Sequence, residues 1–472
     1  MLLSFAPIAL LVFLLFSAVQ LFGADASYGP NQVALLIASA AAGLVGMYRG
    51  LTWAEVQESM VAGIKVGLGP ILILLAVGGL IGSWMIAGTV PAMIYYGVSI
   101  LNPSIFFAAA AIICALASIS IGSSWTVAGT LGIGLIGIAD SYGLSPAVAA
   151  GAIISGAYFG DKLSPLSDTT NLAAACTSVD LFAHIRHMLW TTLPAFCVAL
   201  LFFSLIPSGA ATAPEQIAEL KAAISQEFNV GVGVLIPLAV MIGLIWKRVP
   251  AYPAIMLATL AGILTALTLQ ADVVRKFAFI ANPEATMPVV EGLWRTLFAG
   301  FEGTTTNEEL NRLISKGGIA SMLNTVWLIV SALAFGGVLE RTGILKQILD
   351  SVLTLVKSTG DLVAATVTGG FITNILAADQ FLAIALPGRL FSSTYDDRGL
   401  SRENLSRTLE DSATMTSALI PWNTCGAYMA ATLGVATFDY APYAIFNLAC
   451  PLIAIGFGYL AVKQKPAVPQ PA

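Results

Sequence analysis

Charge is what this sequence has least of. Only 10% of its 472 residues are Asp, Glu, Lys or Arg, against about a quarter in soluble domains. Residues 66–139 contain none. That excludes an ordinary soluble domain, whose surface needs charge. The 21 Lys and Arg are scattered, with no basic stripe, which excludes a nucleic-acid partner. Histidine is nearly absent. His184 and His187 flank Arg186 and read as a solvated loop, and two are too few for a histidine-ligated metal centre. The five cysteines (Cys114, Cys176, Cys197, Cys425 and Cys450) form no C-x-x-C pair and read as small buried hydrophobes. No nucleophile–base pair stands out, so an enzyme is not expected.

Apolar residues take the place of the missing charge. The chain is 57% hydrophobic, with a mean hydropathy of +0.87. Such a surface belongs in lipid, and lipid requires every backbone polar group to be paired internally, so an all-α polytopic membrane protein is expected. Clear spans are Leu2–Phe22, Gln32–Met47, Met188–Ile206, Val230–Ile245, Tyr252–Leu269 and Tyr443–Val462. Ala24-Asp25-Ala26 has the look of a signal-peptidase site. However, no Lys or Arg precedes the first run, and it is long for an h-region, so it reads as a retained transmembrane helix. The charge-free stretch 66–139 breaks at Asn102-Pro103 into two long, glycine-bearing spans. The segments 52–65 and 271–316 mix both signs of charge and read as interfacial.

The halves are similar. A shift of 256 residues carries Gly143-Leu144-Ser145 onto Gly399-Leu400-Ser401, Pro165 onto Pro421, and Ala174-Ala175 onto Ala430-Ala431 without a gap. The expected division is a first repeat over 1–208, an extracytoplasmic loop over 209–229, a second repeat over 230–462 and a cytoplasmic tail over 463–472. With the N-terminus inside, Arg49, Lys65, Arg186, Lys247, Arg248, Lys357, Lys463 and Lys465 fall on the cytoplasmic side. Arg389, Arg398 and Arg402 then fall outside, against the rule. An odd number of crossings per half inverts the second repeat, the plan of many secondary transporters, whose helices are discontinuous at the binding site.

Polar residues gather at two places related by this shift. The first holds Asp161, Ser164, Pro165, Ser167, Asp168, Thr169 and Asn171. On one helix Asp161, Ser164, Asp168 and Asn171 share a face at i, i+3, i+7 and i+10. The second holds Glu410, Asp411, Thr414, Ser417, Pro421, Asn423 and Thr424. Asp379 lies alone between apolar residues. A carboxylate at membrane depth costs about 2.5–3.5 kcal/mol or more, which points to function. Carboxylate, hydroxyl, amide and freed carbonyl oxygens are what Na⁺ needs in place of water, so Asp161, Asp168 and Asp379 are candidate Na⁺ ligands. Pro165 and Pro421 are candidate helix breaks. Structural alternatives stand beside these: an Asp161–Lys162 ion pair, Asp168 as a helix cap, an Arg407–Asp411 i, i+4 pair, and Glu340-Arg341 as a self-neutralising pair.

The run Gly160-Asp161-Lys162-Leu163-Ser164-Pro165-Leu166-Ser167-Asp168-Thr169-Thr170-Asn171-Leu172 resembles the NhaC family of sodium/proton antiporters. So do Thr177–Met188, Ala378-Asp379-Gln380, Leu386-Pro387-Gly388-Arg389, Leu405–Asp411 and Ile420-Pro421-Trp422-Asn423-Thr424-Cys425-Gly426. Trp422-Asn423-Thr424 is also similar to the Ser-Asn-Thr helix-break motif of the wider ion transporter superfamily, with Trp in place of Ser. The resemblance implies a multi-pass antiporter of the bacterial plasma membrane, serving sodium transport and pH homeostasis. It implies no cofactor, with Na⁺ and H⁺ as transported ions and lipid as the surrounding partner; a homodimer is left open. The family also contains exchangers of small organic anions, malate for lactate among them, and carriers of amino acids. If this chain is one of those, Arg389 or Arg407 is the expected carboxylate ligand.

Overall fold

In a computed structural model the structure describes residues 2–22, 26, 28–206, 214–305, 307–462, 464 and 466. The Ala24-Asp25 pair and almost all of the expected tail lie outside these residues. The described chain is helical apart from turns and two isolated bridges. Eight of its helices are long and apolar enough to cross a membrane.

The first half runs through α1 (Leu2–Phe22), α2 (Pro30–Tyr48), α3 (Trp53–Val66), α4 (Leu68–Ile86), α5 (Thr89–Ile100), α6 (Phe106–Ile121), α7 (Ser124–Val127), α8 (Ile133–Ser141), α9 (Pro146–Leu163), α10 (Asp168–Thr177) and α11 (Leu181–Leu205). A connecting set follows: α12 (Pro214–Glu227), α13 (Ile236–Trp246), α14 (Ala251–Leu269), α15 (Ala271–Ala281) and α16 (Pro288–Phe298). The second half holds α17 (Glu308–Ile314), α18 (Leu323–Arg341), α19 (Ile344–Leu353), α20 (Thr359–Ala377), α21 (Gln380–Asp397), α22 (Arg402–Leu409), α23 (Met415–Ser417), α24 (Thr424–Leu433), α25 (Thr437–Tyr440) and α26 (Ile445–Tyr459).

The 256-residue shift holds at the level of backbone. It carries α10 onto α24 residue for residue, and the α7–α8 stretch, 124–141, onto α21. It also matches left-handed residues: Gly122 with Ala378, Gly143 with Gly399, and Ser178 with Gly434. Positive φ is uncommon outside glycine, so three coincidences at one offset, two of them involving Ala or Ser, identify a duplicated fold.

In each half a helical hairpin turns back at mid-depth. α6 rises to Gly122 and α7–α8 return. The ring of Tyr142, after α8, lies 6.3 Å from that of Phe106 at the start of α6, so the hairpin's two ends meet. α20 and α21 do the same around Ala378. Arg398, after α21, donates to the carbonyls of Lys357 (3.1 Å) and Val356 (3.0 Å) before α20. The hairpins are rooted at opposite ends of α26. At its start Tyr443 packs on Gly151 of α9, the helix that follows the first hairpin. At its end Tyr459 donates to Asp361 (2.8 Å), which opens the second hairpin. The repeats are therefore inverted.

The structure answers four expectations. The two long spans over 66–139 are interrupted, at Gly88 between α4 and α5 and at Gly122, where the chain turns back as a hairpin, and 362–390 turns back at Ala378. The turn at Gly122 carries no charge, so composition gives no mark of it, whereas the turn at Ala378 carries Asp379. Because the second hairpin returns to its own end, Arg398 sits beside Lys357, not opposite it, and the mismatch with the positive-inside rule disappears there. His184 and His187 are not solvated: α11 begins seven residues before the apolar run. That buries both rings against α22, His184 Nδ1 2.8 Å from Ser406 Oγ and His187 Nε2 3.0 Å from Asn404 Oδ1. Arg341 pairs with Glu55 of α3 (3.2 Å) rather than with Glu340.

Candidate functional site

Four half-helices begin in the middle of the fold: α7, α10, α21 and α24. A helix start leaves N–H groups unpaired and carries the positive end of the helix dipole. Each start is capped by a side chain. Ser123 accepts from Thr126 N (3.2 Å), Ser167 from Thr170 N (3.4 Å), Asp379 from Leu382 N (2.8 Å) and Asn423 from Cys425 N (3.0 Å). Ser123 and Asp379 are equivalent under the repeat, as are Ser167 and Asn423. α10 packs against α21, and its counterpart α24 packs against α7 and the π-helical turn Ala128–Gly132 after it. The tip of the second hairpin is tied to the second break by Thr424 N, which donates to Ala378 O at 3.0 Å.

Each repeat brings one carboxylate to its hairpin tip, by different routes. In the first, Asp161 reaches across from the last turn of α9. Its Oδ2 accepts from Ser124 N (3.0 Å) and Ser124 Oγ (2.7 Å). In the second, the residues equivalent to Asp161 and Ser124 are Ser417 and Gln380, which face each other at 3.4 Å, and the carboxylate is the cap itself, Asp379. Both carboxylates are buried, Asp161 to 8% exposure and Asp379 to 1%.

They line different cavities. One, of about 560 Å³, is bounded by Asp161, Asp168, Ser123, Ser124, Ser167 and Thr169, with Gln380 and Phe381 on the opposite wall and Arg248 at its rim. The other, of about 870 Å³, has Asp379 and Phe381 on one wall and Glu55, Glu58 and Arg341 toward its mouth. Phe381 is common to both.

Behind the smaller cavity lies a buried charged cluster. Lys162, fully buried, is ion-paired with Asp411, fully buried in the π-helical turn Glu410–Thr414. Thr191 of α11 donates to the same Asp411 oxygen (3.0 Å). Glu410 faces Lys162, Asp161, Thr169 and Thr414. Arg407 is fully buried beside Asp411 and Tyr395. A buried pair of this kind repays its desolvation only with good geometry and further hydrogen bonds.

The residues singled out from sequence divide accordingly. Asp161, Ser167, Asp168 and Thr169 meet at one cavity. The chain leaves the helix over 164–167, so Ser164 and Asn171 do not share the expected face with Asp161. Ser164 ends α9 and accepts from Leu166 N (3.3 Å). Asn171 is exposed and donates to the carbonyls of Pro165 (2.9 Å) and Ser167 (2.7 Å), fastening the break. Pro165 and Pro421 both lie in breaks, as expected. Thr414 and Ser417 bond within their own turn (2.7 Å), and Thr424 lies against Asn423 (3.5 Å). Ser167, not Asp168, is the cap of α10, and Lys162 pairs with Asp411 rather than Asp161. Ser123, Ser124, Gln380 and Asn374 were not singled out. Asn374 donates to Ala413 O (2.6 Å) and Thr416 Oγ1 (3.0 Å) and accepts from Asn423 Nδ2 (3.0 Å), bracing the second hairpin onto its break. The 256-residue shift applied to Asp379 would have found Ser123.

Comparison with known proteins gives the family. The sequence model of the Na⁺/H⁺ antiporter family matches residues 156–462. The chain is 40% identical over 436 residues to the Na⁺/H⁺ antiporter NhaC of Alkalihalophilus pseudofirmus, covering 92% of this chain and 90% of that one. It is 36% identical over 434 residues to the malate-2H⁺/Na⁺-lactate antiporter of Bacillus subtilis, covering 91% and 89%. Among solved structures, MtrF of Neisseria gonorrhoeae aligns over 96% of this chain and 95% of its own, at 14% identity and a TM-score of 0.38. The chain belongs to the Na⁺/H⁺ antiporter family, in its NhaC branch.

Proposed function

We propose that the protein exchanges Na⁺ for H⁺ across the cytoplasmic membrane by alternating access, with Asp161 and Asp379 as the exchanging carboxylates. The observation that carries this reading is that each repeat ends a cavity at one buried carboxylate seated on a hairpin tip. Asp161 has Asp168, Ser167 and Thr169 around it on the same cavity wall, an oxygen-rich set suited to a hard monovalent cation. A protonated acid has no charge to offer Na⁺, and a carboxylate that holds Na⁺ is ionised. One group then holds H⁺ or Na⁺, not both. Exchange follows if only the loaded forms allow the repeats to rock.

Both cavities open at the end of the fold that carries Arg49, Arg341 and Arg248. By the positive-inside rule that end is cytoplasmic, the conformation is inward-facing, and α12 lies on the extracytoplasmic side. The repeats within 1–208 and 230–462 are the two moving halves. The two arginines expected from sequence for an organic acid are elsewhere: Arg389 is exposed, with Nε on Ala385 O (3.3 Å), and Arg407 is buried beside Asp411. Neither lines these two cavities, whose arginines are Arg341 and Arg248.

In reconstituted vesicles, added Na⁺ should dissipate an imposed pH gradient. Asp161→Asn and Asp379→Asn should each abolish the response. Full exchange in both variants would refute the assignment of the carboxylates.

A further inference from the structure

The repeats are equivalent in sequence position but not in conformation here. The 256-residue shift carries residues lining the larger cavity onto positions at the other end of the fold: Val66 onto Met322, Gly337 onto Ile81, Ala385 onto Gly129, Phe381 onto Trp125, and Leu172 onto Tyr428. The first member of each pair lines an open cavity. Of the second members, Met322, Ile81, Gly129 and Tyr428 are buried, while Trp125 is half-buried and has one side on the smaller cavity. Val66 is 53% exposed, while Met322 is 3% exposed. Trp125 stacks on Tyr428 with ring centroids 4.0 Å apart and planes 14° from parallel. The Tyr428 hydroxyl donates to the Trp125 carbonyl at 2.9 Å. A Cβ on Gly129 would lie 2.8 Å from that hydroxyl, so the turn is pressed onto the stack. Beyond it a small cavity of about 180 Å³ remains, lined by Ile81, Met322 and Lys316, and Lys316 faces Asp140 at 3.9 Å.

We propose that Trp125 and Tyr428 form the gate that shuts the extracytoplasmic path to the exchanging carboxylates, and that Phe381 and Leu172 form the matching cytoplasmic gate, closed in the opposite state. The proposal rests on the exchange reading for its direction. Trp125 stands two residues after the Ser123 cap, and Phe381 two residues after Asp379. Each aromatic ring therefore sits on the hairpin tip that carries its carboxylate site, and its partner sits on the half-helix of the other repeat: Tyr428 on α24 and Leu172 on α10. Moving one hairpin against the opposite half-helix opens or closes one path. The stacked pair is also the tighter of the two, since Phe and Leu have neither the second ring nor the hydroxyl. The resting protein should therefore favour the inward-facing state, by up to about tenfold from the stack alone.

The test is cysteine reactivity of the purified full chain in detergent, with a polar maleimide. Val66→Cys and Met322→Cys report the two paths, each read as the increment over the parent chain, whose five cysteines set the background. Val66→Cys should react at least about tenfold faster than Met322→Cys. Trp125→Phe combined with Tyr428→Leu gives the closed end the residues of the open one. It should raise Met322→Cys reactivity several-fold and lower that of Val66→Cys. Phe381→Trp combined with Leu172→Tyr changes cavity-lining positions and leaves the packed end intact. It should slow Val66→Cys, and any shift at Met322→Cys should be upward. Opposite movement of the two cysteines is the signature of a gate. If both exchanges move the two cysteines together, or move neither, the proposal is overturned. Labelling needs neither Na⁺ nor a pH gradient, so the gate and the identity of the transported ions fail independently.

Discussion

Replacing Lys162 by Met should destabilise the protein far more than a surface change would, because it strands Asp411. Both groups are fully buried, and the pair joins α9 of the first repeat to the π-helical turn of the second. Without the ammonium, Asp411 keeps only the hydroxyl of Thr191 as a direct donor, at 3.0 Å, with Arg407 nearby. Breaking a buried pair by removing one partner costs about 3–5 kcal/mol, whereas replacing both by apolar residues of similar size is often neutral. The Thr191 hydroxyl also lies 3.1 Å from Met188 O and can donate there instead, so it stays satisfied if Asp411 is lost. Lys162→Met with Asp411→Leu should then recover much of the loss, though not all, since Arg407 loses its neighbouring carboxylate. The coupling in a double-mutant cycle, measured by reversible unfolding in mixed micelles, should be about 2 kcal/mol. A Lys162→Met loss under about 1 kcal/mol, or a double variant no more stable than the single one, would refute the reasoning.

Two further substitutions test how the breaks are held. Gly156→Ala would drive a Cβ into the carbonyl oxygen of Ala111, where α9 crosses α6, and should destabilise by about 1–3 kcal/mol; Gly456→Ala, with nothing within 4 Å, is the control and should leave unfolding unchanged. Asn374→Ala removes the brace between the second hairpin and its break and leaves Ala413 O without that donor, a loss of about 1–3 kcal/mol. Its Na⁺/H⁺ exchange should weaken while Asp379 is untouched, and an exchange rate equal to that of the parent chain would show that the brace is dispensable.

The duplication was legible because its marks are local. Gly143-Leu144-Ser145 and Gly399-Leu400-Ser401 recur because each needs a left-handed glycine and a serine cap before a helix, and Ser145 and Ser401 do cap α9 and α22. Pro165 and Pro421 were legible for the same reason: an imino acid inside a helical run has few structural uses. The hairpin at Gly122-Ser123 was not legible, since a turn buried between apolar helices needs no charge and only one left-handed residue. Contacts between repeats were hidden as well. Lys162 and Asp411 are 249 residues apart, and each sits next to another acid, Asp161 or Glu410, that offers an equally plausible local role. The burial of His184 and His187 was missed because a polar pair before an apolar run looks like a loop until Asn404 and Ser406 come to meet it.

If Asp161 and Asp379 are the exchanging carboxylates, as proposed, their positions also explain why a cation site can stand on helix starts, which by themselves favour anions. An empty Asp161 is stabilised by Ser124 N–H and hydroxyl and by the dipole of α7; an empty Asp379 is stabilised by the start of α21. Neither repeat therefore has to bury an unpaired negative charge when Na⁺ leaves. The same geometry makes an amide substitute doubly poor. Asparagine removes the ligand charge and uncovers the positive helix end behind it, so the local potential changes from attracting Na⁺ to repelling it. The first repeat supplies its carboxylate from α9 and the second from the cap itself, but each supplies one per hairpin tip. That balance, one acid for each hairpin tip, is preserved through the divergence of Ser123 from Asp379 and of Asp161 from Ser417. It is the requirement the site places on both halves, and it is met by different residues because the constraint is on charge at the tip rather than on the position that carries it.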